Sequence, residues 1–333
     1  MARGLAAISC DLDEVAHYFA IHGLSTGSGG DVAARGVSDS GSAVASGVSD
    51  SGSAAVRGVY DAALPRLASF AAAHGIPVTL FAIGQDLACA ENAAVLRALS
   101  DAGHPVENHS YGHHYDLVRR SPGEIRDEIA RGAEAITRVT GRAPVGFRAP
   151  GYTVDDGVFD ALEELGVAFD SSVFPCPPYY GAKALVMAAQ RVRGRRSAAI
   201  LDSPRVLLAP ARPYRPGRPW WQPGQRRLVE LPIQVTPWVR LPVIGTSVAL
   251  AGPTGARLLA RACAGEPWVH LELHGMDFLD RSDGLEGLAP HQPELRVPLD
   301  RRLAALSAFV EELTRAGRRF VRLDEAADSF ATR

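Results

Sequence analysis

The sequence predicts an α/β fold on a parallel sheet, with a closed barrel as the arrangement that uses the most of its units, and three observations lead there. Short apolar runs alternate with amphipathic, helix-like stretches along the chain. Each run and the helix after it have the length of a βα unit, and repeated units of that kind favour parallel strands. A chain of 333 residues that is 47% hydrophobic and 22% charged is also long and apolar enough to bury the core such a sheet needs.

The first run, LAAISCDL, is apolar until acids end it. Next come a helical pattern in VYDAALPRLASFAAAHG, a strand in PVTLFAIG and a helix in ENAAVLRALSDAG. After the polar stretch ENHSYGHHYD (107–116), SPGEIRDEIARGAEAITRVTG reads as helix, PVGFRAP as strand, DDGVFDALEELG as helix and VAFDSS as strand. A Pro- and Arg-rich excursion (176–227) intervenes, and the alternation resumes with LVELPI, WVHLELH, the helical LDRRLAALSAFVEELTRAG and RFVRL. Residues 25–56 differ in character: they are mostly Gly, Ser, Ala, Val and Asp, and they repeat the octet GVSDSGSA at 36–43 and 47–54. That is the composition of a flexible, low-complexity insertion without catalytic content. The chain 1–333 therefore reads as a single catalytic domain carrying one insertion and one excursion.

Several function classes fall away. A net charge of -2 gives no global attraction to nucleic acid. MARGLAAISCDLDE lacks the long apolar core and small-residue cleavage site of a signal peptide, and no window has the roughly 18 apolar residues of a membrane helix. The expected location is cytoplasmic, including the inner membrane surface. Cys10, Cys89, Cys176 and Cys263 share no short spacing, which excludes a zinc-finger pattern and a redox pair. Lys183 is the one lysine, it lies in no phosphate loop, and GxSxG is absent, so lysine-based covalent catalysis and ordinary serine hydrolysis are disfavoured.

In α/β barrels the carboxyl ends of the strands form the active site. The runs here end on Asp11 and Asp13, on His109 and His113, on Arg148, on Asp170 and on His274. His109 and His113 are four apart, a spacing that on a helical turn lets both imidazoles reach one ion. Asp11 and Asp13 lie on one side of an extended strand, so one carboxylate can bind the ion while the other accepts a proton. Two histidines and a carboxylate with an open position form a typical catalytic metal set.

Five segments in order, DLD, HSYGH, FRAPGY, FDSS and LELH, give the chain a resemblance to the polysaccharide deacetylase superfamily, the NodB-homology carbohydrate esterases, over most of its length. DLD stands where that family usually has paired aspartates, and Leu12 between the two acids is a departure. The resemblance implies a distorted (β/α) barrel of about seven parallel strands. It implies that Asp13, His109 and His113 hold one divalent metal ion and that Asp11 is the general base. Arg148 would pair with Asp11, and Asp170 would orient or charge His274, the general acid. Zn2+ is the first expectation from ligand type, and Co, Ni, Mn or Fe suit the same set. Such an enzyme removes an acetyl or formyl group from the nitrogen of an amino sugar or related glycoconjugate, with the oxyanion stabilised by the ion and a backbone N–H of the RAPGY turn.

His114 matches no ligand position, and His17 and His22 are left outside the site. From Arg191 to Arg227 there are ten arginines and one acid, interleaved with Tyr214, Trp220 and Trp221, which suits a phosphate- or lipid-linked sugar or a loop that keeps its charges in water. Two other functions compete: an allantoinase-like hydrolase of a small cyclic or linear amide, and a carbohydrate-binding protein without catalysis.

Overall fold

A computed structural model describes residues 4–22, 24, 58–192 and 200–331. The insertion at 25–56 lies outside the described residues, as do Arg193, Arg195 and Arg196 of the excursion.

The sheet is built on β1 (Leu5–Asp11), every residue of which after Leu5 is buried. Its partners are β2 (Thr79–Ala82), β3 (Val106–Asn108), β4 (Gly146–Phe147), β5 (Phe169–Asp170), β6 (Val229–Glu230), β7 (Trp268–His274) and β8 (Arg319–Phe320). The order is β6-β5-β4-β3-β2-β1-β7, with β8 on β1, and every pairing is parallel. β7 runs beside the whole of β1, from Leu5 opposite Trp268 to Asp11 opposite His274. β2 pairs only with Ser9–Asp11, so β8 fits below it against Leu5 and Ala6.

The expected barrel of about seven parallel strands is thus present, and its distortion is an open seam between β6 and β7. The chain after β6 partly fills that seam through a single parallel bridge between Ile244 and Glu272. Because β4, β5 and β6 are two residues long, the polar residues that follow each of them arrive at one level, beside the ends of β1 and β7.

Helices cover the sheet: α1 (Val15–His22), α2 (Leu64–His74), α3 (Ala90–Asp101), α4 (Pro122–Thr140), α5 (Asp156–Glu164), α6 (Pro177–Val192), α7 (Gly245–Cys263), α8 (Leu299–Arg315) and α9 (Leu323–Ala331). None among the described residues is long and apolar enough to cross a membrane. α4 starts with a capping box, in which Ser121 Oγ accepts from Glu124 N and the Glu124 carboxylate accepts from Ser121 N at 2.8 Å. It lies close against β3 because Gly132 has no side chain; a Cβ there would sit 2.3 Å from Asn108 Oδ1. That approach lets Asn108 Nδ2 donate to the Ile129 carbonyl at 2.8 Å, which fixes the chain just before His109.

Four helices were not read from the sequence: α1, α6, α7 and α9. α6 lies inside the Pro/Arg-rich excursion and buries no residue fully, so it lacks a clear apolar stripe. α7 is interrupted at Gly252 (φ 64°) and Pro253, which breaks its period.

Candidate active site

The polar residues at the strand ends converge. Asp13 follows β1, and its Oδ1 lies 3.2 Å from His109 Nε2 and 3.1 Å from His113 Nε2. His109 Nδ1 is 2.8 Å from the Arg148 carbonyl, which makes Nδ1 the donor and leaves the Nε2 lone pair facing Asp13. The sequence reading put the two histidines on a helical turn. The structure instead holds them in a loop with two left-handed residues, Ser110 (φ 66°) and His113 (φ 54°), braced by the His113 amide donating to Ser110 Oγ at 3.0 Å. That loop, not helical spacing, turns the imidazoles toward each other.

Three buried acceptors facing one another at about 3 Å repel unless something positive lies between them. Asp13 Oδ1 and both ring nitrogens of His113 have no hydrogen-bond partner among the described residues. Two imidazole nitrogens and a carboxylate oxygen are the donor set of a divalent ion, so these residues fit one. Burial works against the Asp13 carboxylate, yet the imidazoles of His113 and His109 hold its carboxyl well below the usual range.

Asp11 is buried beside this group, and its Oδ1 accepts from Arg148 Nη1 at 2.5 Å. The Arg148 guanidinium is fully buried and every nitrogen is used: Nε donates to the Ser171 carbonyl at 2.8 Å, Nη1 to Ser9 Oγ at 2.9 Å and Nη2 to Ser171 Oγ at 2.9 Å. Its carbon sits 4.1 Å from the centre of the Phe81 ring. Asp11 Oδ2 has no hydrogen-bond partner among the described residues. One oxygen of this carboxylate is therefore fixed and the other is open.

His274 ends β7, opposite Asp11. Its Nδ1 lies 3.0 Å from Glu272 Oε1, and its Nε2 lies 3.3 Å from the Tyr152 hydroxyl. Burial disfavours the imidazolium, but the carboxylates of Glu272 and Asp11 raise the His274 pKa to about 9. Glu272 is fully buried, and desolvation raises its own pKa to about 7.

The expected pairing of Asp170 with His274 is corrected. Asp170 accepts from Ser172 Oγ at 2.8 Å and Ser172 N at 3.1 Å, and its other neighbour is the carboxyl of Glu230. Ser172 Oγ in turn accepts from Ala149 N at 2.8 Å, so Asp170 supports the turn that carries Arg148. Glu272, two residues before His274 on β7, is the carboxylate whose Oε1 lies 3.0 Å from His274 Nδ1. Its signal was in the sequence: residues i and i+2 of a strand share a face.

The RAPGY amides are also more committed than expected. Tyr152 N donates to the Ala149 carbonyl and Arg148 N to the Asn108 carbonyl, each at 3.0 Å. His17 was left outside the site, yet its ring lies 4.5 Å from His113, and burial and His113 lower its pKa to about 4. His114 faces away, 3.9 Å from Glu128.

These groups open into a cavity of about 320 Å³. Its walls include Tyr18, Tyr115, Tyr152 and Tyr179, and α6 adds Lys183, Val186 and Met187. No arginine of the excursion among the described residues lines it. Arg226 instead contacts Asp156, Asp160 and Glu163, Arg212 contacts Glu266, and Arg215 donates to the carbonyls of Arg226, Arg227 and Ala331. Trp220 stacks on Phe159. The phosphate-binding role considered for these side chains has no support in their positions.

Residues 50–169 match the family model of polysaccharide deacetylase. A peptidoglycan deacetylase of Helicobacter pylori is 28% identical over 119 residues, which are 35% of this chain and 40% of that protein. A peptidoglycan deacetylase-like protein of Gibberella zeae is 32% identical over 77 residues, 23% of this chain and 22% of that protein. The match thus spans less than half the length of either relative. Among solved structures, one described as a polysaccharide deacetylase from Mycobacterium smegmatis superposes with a TM-score of 0.55 at 19% identity, covering 98% of this chain and 90% of that one.

Proposed function

We propose that the chain is a member of the polysaccharide deacetylase superfamily, whose family model matches residues 50–169, and that it is a metal-dependent hydrolase that removes an N-acyl group from an amino sugar or a related compact glycoconjugate. The observation that carries this reading is the convergence of Asp13, His109 and His113 beside an Asp11 carboxylate with one oxygen fixed and one open.

A divalent ion held by Asp13, His109 and His113 would supply the Lewis acid that polarises the amide carbonyl and makes water acidic. Asp11 takes the proton of the attacking water through Oδ2, since Oδ1 is held by Arg148. Arg148 keeps that carboxylate ionised and aimed. His274, charged through Glu272, donates its Nε2 proton to the departing nitrogen as the C–N bond breaks, and the acyl group leaves as a carboxylic acid. Asp170 acts at one remove, by holding Ser172 and through it the Arg148 turn.

The cavity of about 320 Å³ has room for a compact substrate. That same observation keeps the allantoinase-like hydrolysis of a small amide as a second reading. A panel of N-acetyl and N-formyl hexosamines and cyclic ureides, offered to the Zn2+-loaded protein with His274→Ala as control, separates the two. Acid released from an amino sugar by the wild type only supports the first reading, ring opening of a ureide supports the second, and equal rates in the variant contradict the mechanism.

A further inference from the structure

The excursion sends one cation into the cavity. Lys183, the single lysine of the chain, projects from α6 and lines the same space as Asp11, Asp13 and His274. Its ammonium has three protons to donate, and its described hydrogen bond is to the Gly151 carbonyl at 3.1 Å. No carboxylate among the described residues comes within ion-pair distance of it; Asp202 acts only through space. Arg212, Arg215 and Arg226 of the excursion each have a carboxylate or carbonyl partner, whereas the half-buried Lys183 keeps donor capacity toward the cavity. A partly desolvated charge whose nearest acid, Asp202, makes no contact ion pair is costly, and a site that binds an anion recovers part of that cost.

The placement suits a substrate group some distance from the reacting amide. Gly151 is left-handed (φ 63°), and a Cβ there would meet the Tyr115 ring at 2.8 Å. That ring packs edge-on against His113, with centroids 4.8 Å apart. Tyr115 therefore lies between the proposed ion site and Lys183, as a flat spacer between the place where the acyl group reacts and the roof of the cavity. Asp277 and Glu294 line the same cavity.

Building on the deacetylase reading, we propose that Lys183 is a specificity residue that binds a carboxylate or phosphate carried by the acylated substrate. The anion accepts the ammonium protons not spent on Gly151, while the acyl group lies past Tyr115 at Asp13, His109 and His113.

The single lysine makes a direct test available. Selective ¹³C,¹⁵N-lysine labelling keeps all three ammonium protons and reports on Lys183 alone. The Zn2+-loaded His274→Ala protein, which holds substrate without turnover, is titrated with N-acetylglucosamine, its 6-phosphate and N-acetylmuramic acid, and with acetate and inorganic phosphate alone. A saturable shift of the Lys183 signal with one of the two anionic sugars, absent with the neutral sugar and weaker with the free ions, is the expected result; which sugar gives it identifies phosphate or carboxylate. Equal shifts with neutral and anionic sugars, or no shift with any of them, overturn the proposal. In otherwise wild-type enzyme, Lys183→Met is expected to raise KM for the anionic sugar at least about tenfold more than for the neutral one, the scale of a lost hydrogen bond to a charged group. The two readings fail separately: a Lys183 response without acid release from any substrate removes the deacetylase reading alone, and acid release with no anion preference removes the Lys183 proposal alone.

Discussion

The histidine loop at 107–116 and the excursion at 176–227 are the two stretches of this chain richest in residues that bind ions, and the fold uses them in opposite ways. In the loop, His109 and His113 are buried, face Asp13, and leave polar atoms without partners. In the excursion, Arg212, Arg215, Arg218 and Arg226 all have acids or carbonyls against them, mostly from neighbouring helices. Residue type is equally suggestive in both. What separates them is whether the polar groups are already satisfied, because a buried group without a partner is costly to keep unless a ligand completes it.

That contrast breaks most visibly at the ligands. Asp13→Ala is expected to abolish stoichiometric ion binding and to lower acid release by well over about a hundredfold, since even groups behind a metal ligand are worth about 10- to 100-fold. Metal analysis and a rate assay on the same preparation check it. Arg148→Met should cost about 3–5 kcal/mol of stability in chemical denaturation, because it strands the buried Asp11 carboxylate. Arg226→Met is its counterpart in the excursion. Its acids are 28–35% exposed and can be rehydrated, so the loss should be about 1–3 kcal/mol, with ion binding and KM unchanged.

A finer effect concerns the acid. His274 titrates in the folded protein at about 9, above its ordinary 6.5, so it stays protonated through neutral pH and loses its proton as pH rises through that value. Activity that needs the imidazolium should therefore fall on the alkaline side. Glu272→Gln removes the leading carboxylate cause, so that limb of the pH–rate profile should move to lower pH, whereas Asp170→Asn should leave its position unchanged. A profile insensitive to Glu272 would return the orienting role to another group. Smallest of all, Arg212→Gln with Arg218→Gln should change stability by less than about 1 kcal/mol per exposed pair, and KM not at all.

The strand ends were legible because a parallel sheet delivers them to one place whatever the strand order. Asp11, Asp13, His109, His113, Arg148 and His274 meet for that reason. The partner of His274 was not legible from the motifs, because choosing between Asp170 and Glu272 needs the side-chain contacts, in which Asp170 is taken up by Ser172 and Glu272 meets His274 Nδ1. The period of two along WVHLELH already pointed to Glu272. Lys183, Tyr115 and Tyr179 were not read as site residues for another reason: they reach the cavity through tertiary packing, and α6 has no apolar stripe to announce which face it turns inward. The same lack hid the helix itself.

The division of labour between the two aspartates is the central claim, and one measurement tests it: ion content and acid-release rate in Asp11→Asn and Asp13→Asn side by side. Asp11→Asn should keep one equivalent of metal and lose turnover, while Asp13→Asn should lose the metal. Loss of metal in both variants, or full turnover in Asp11→Asn, would contradict it.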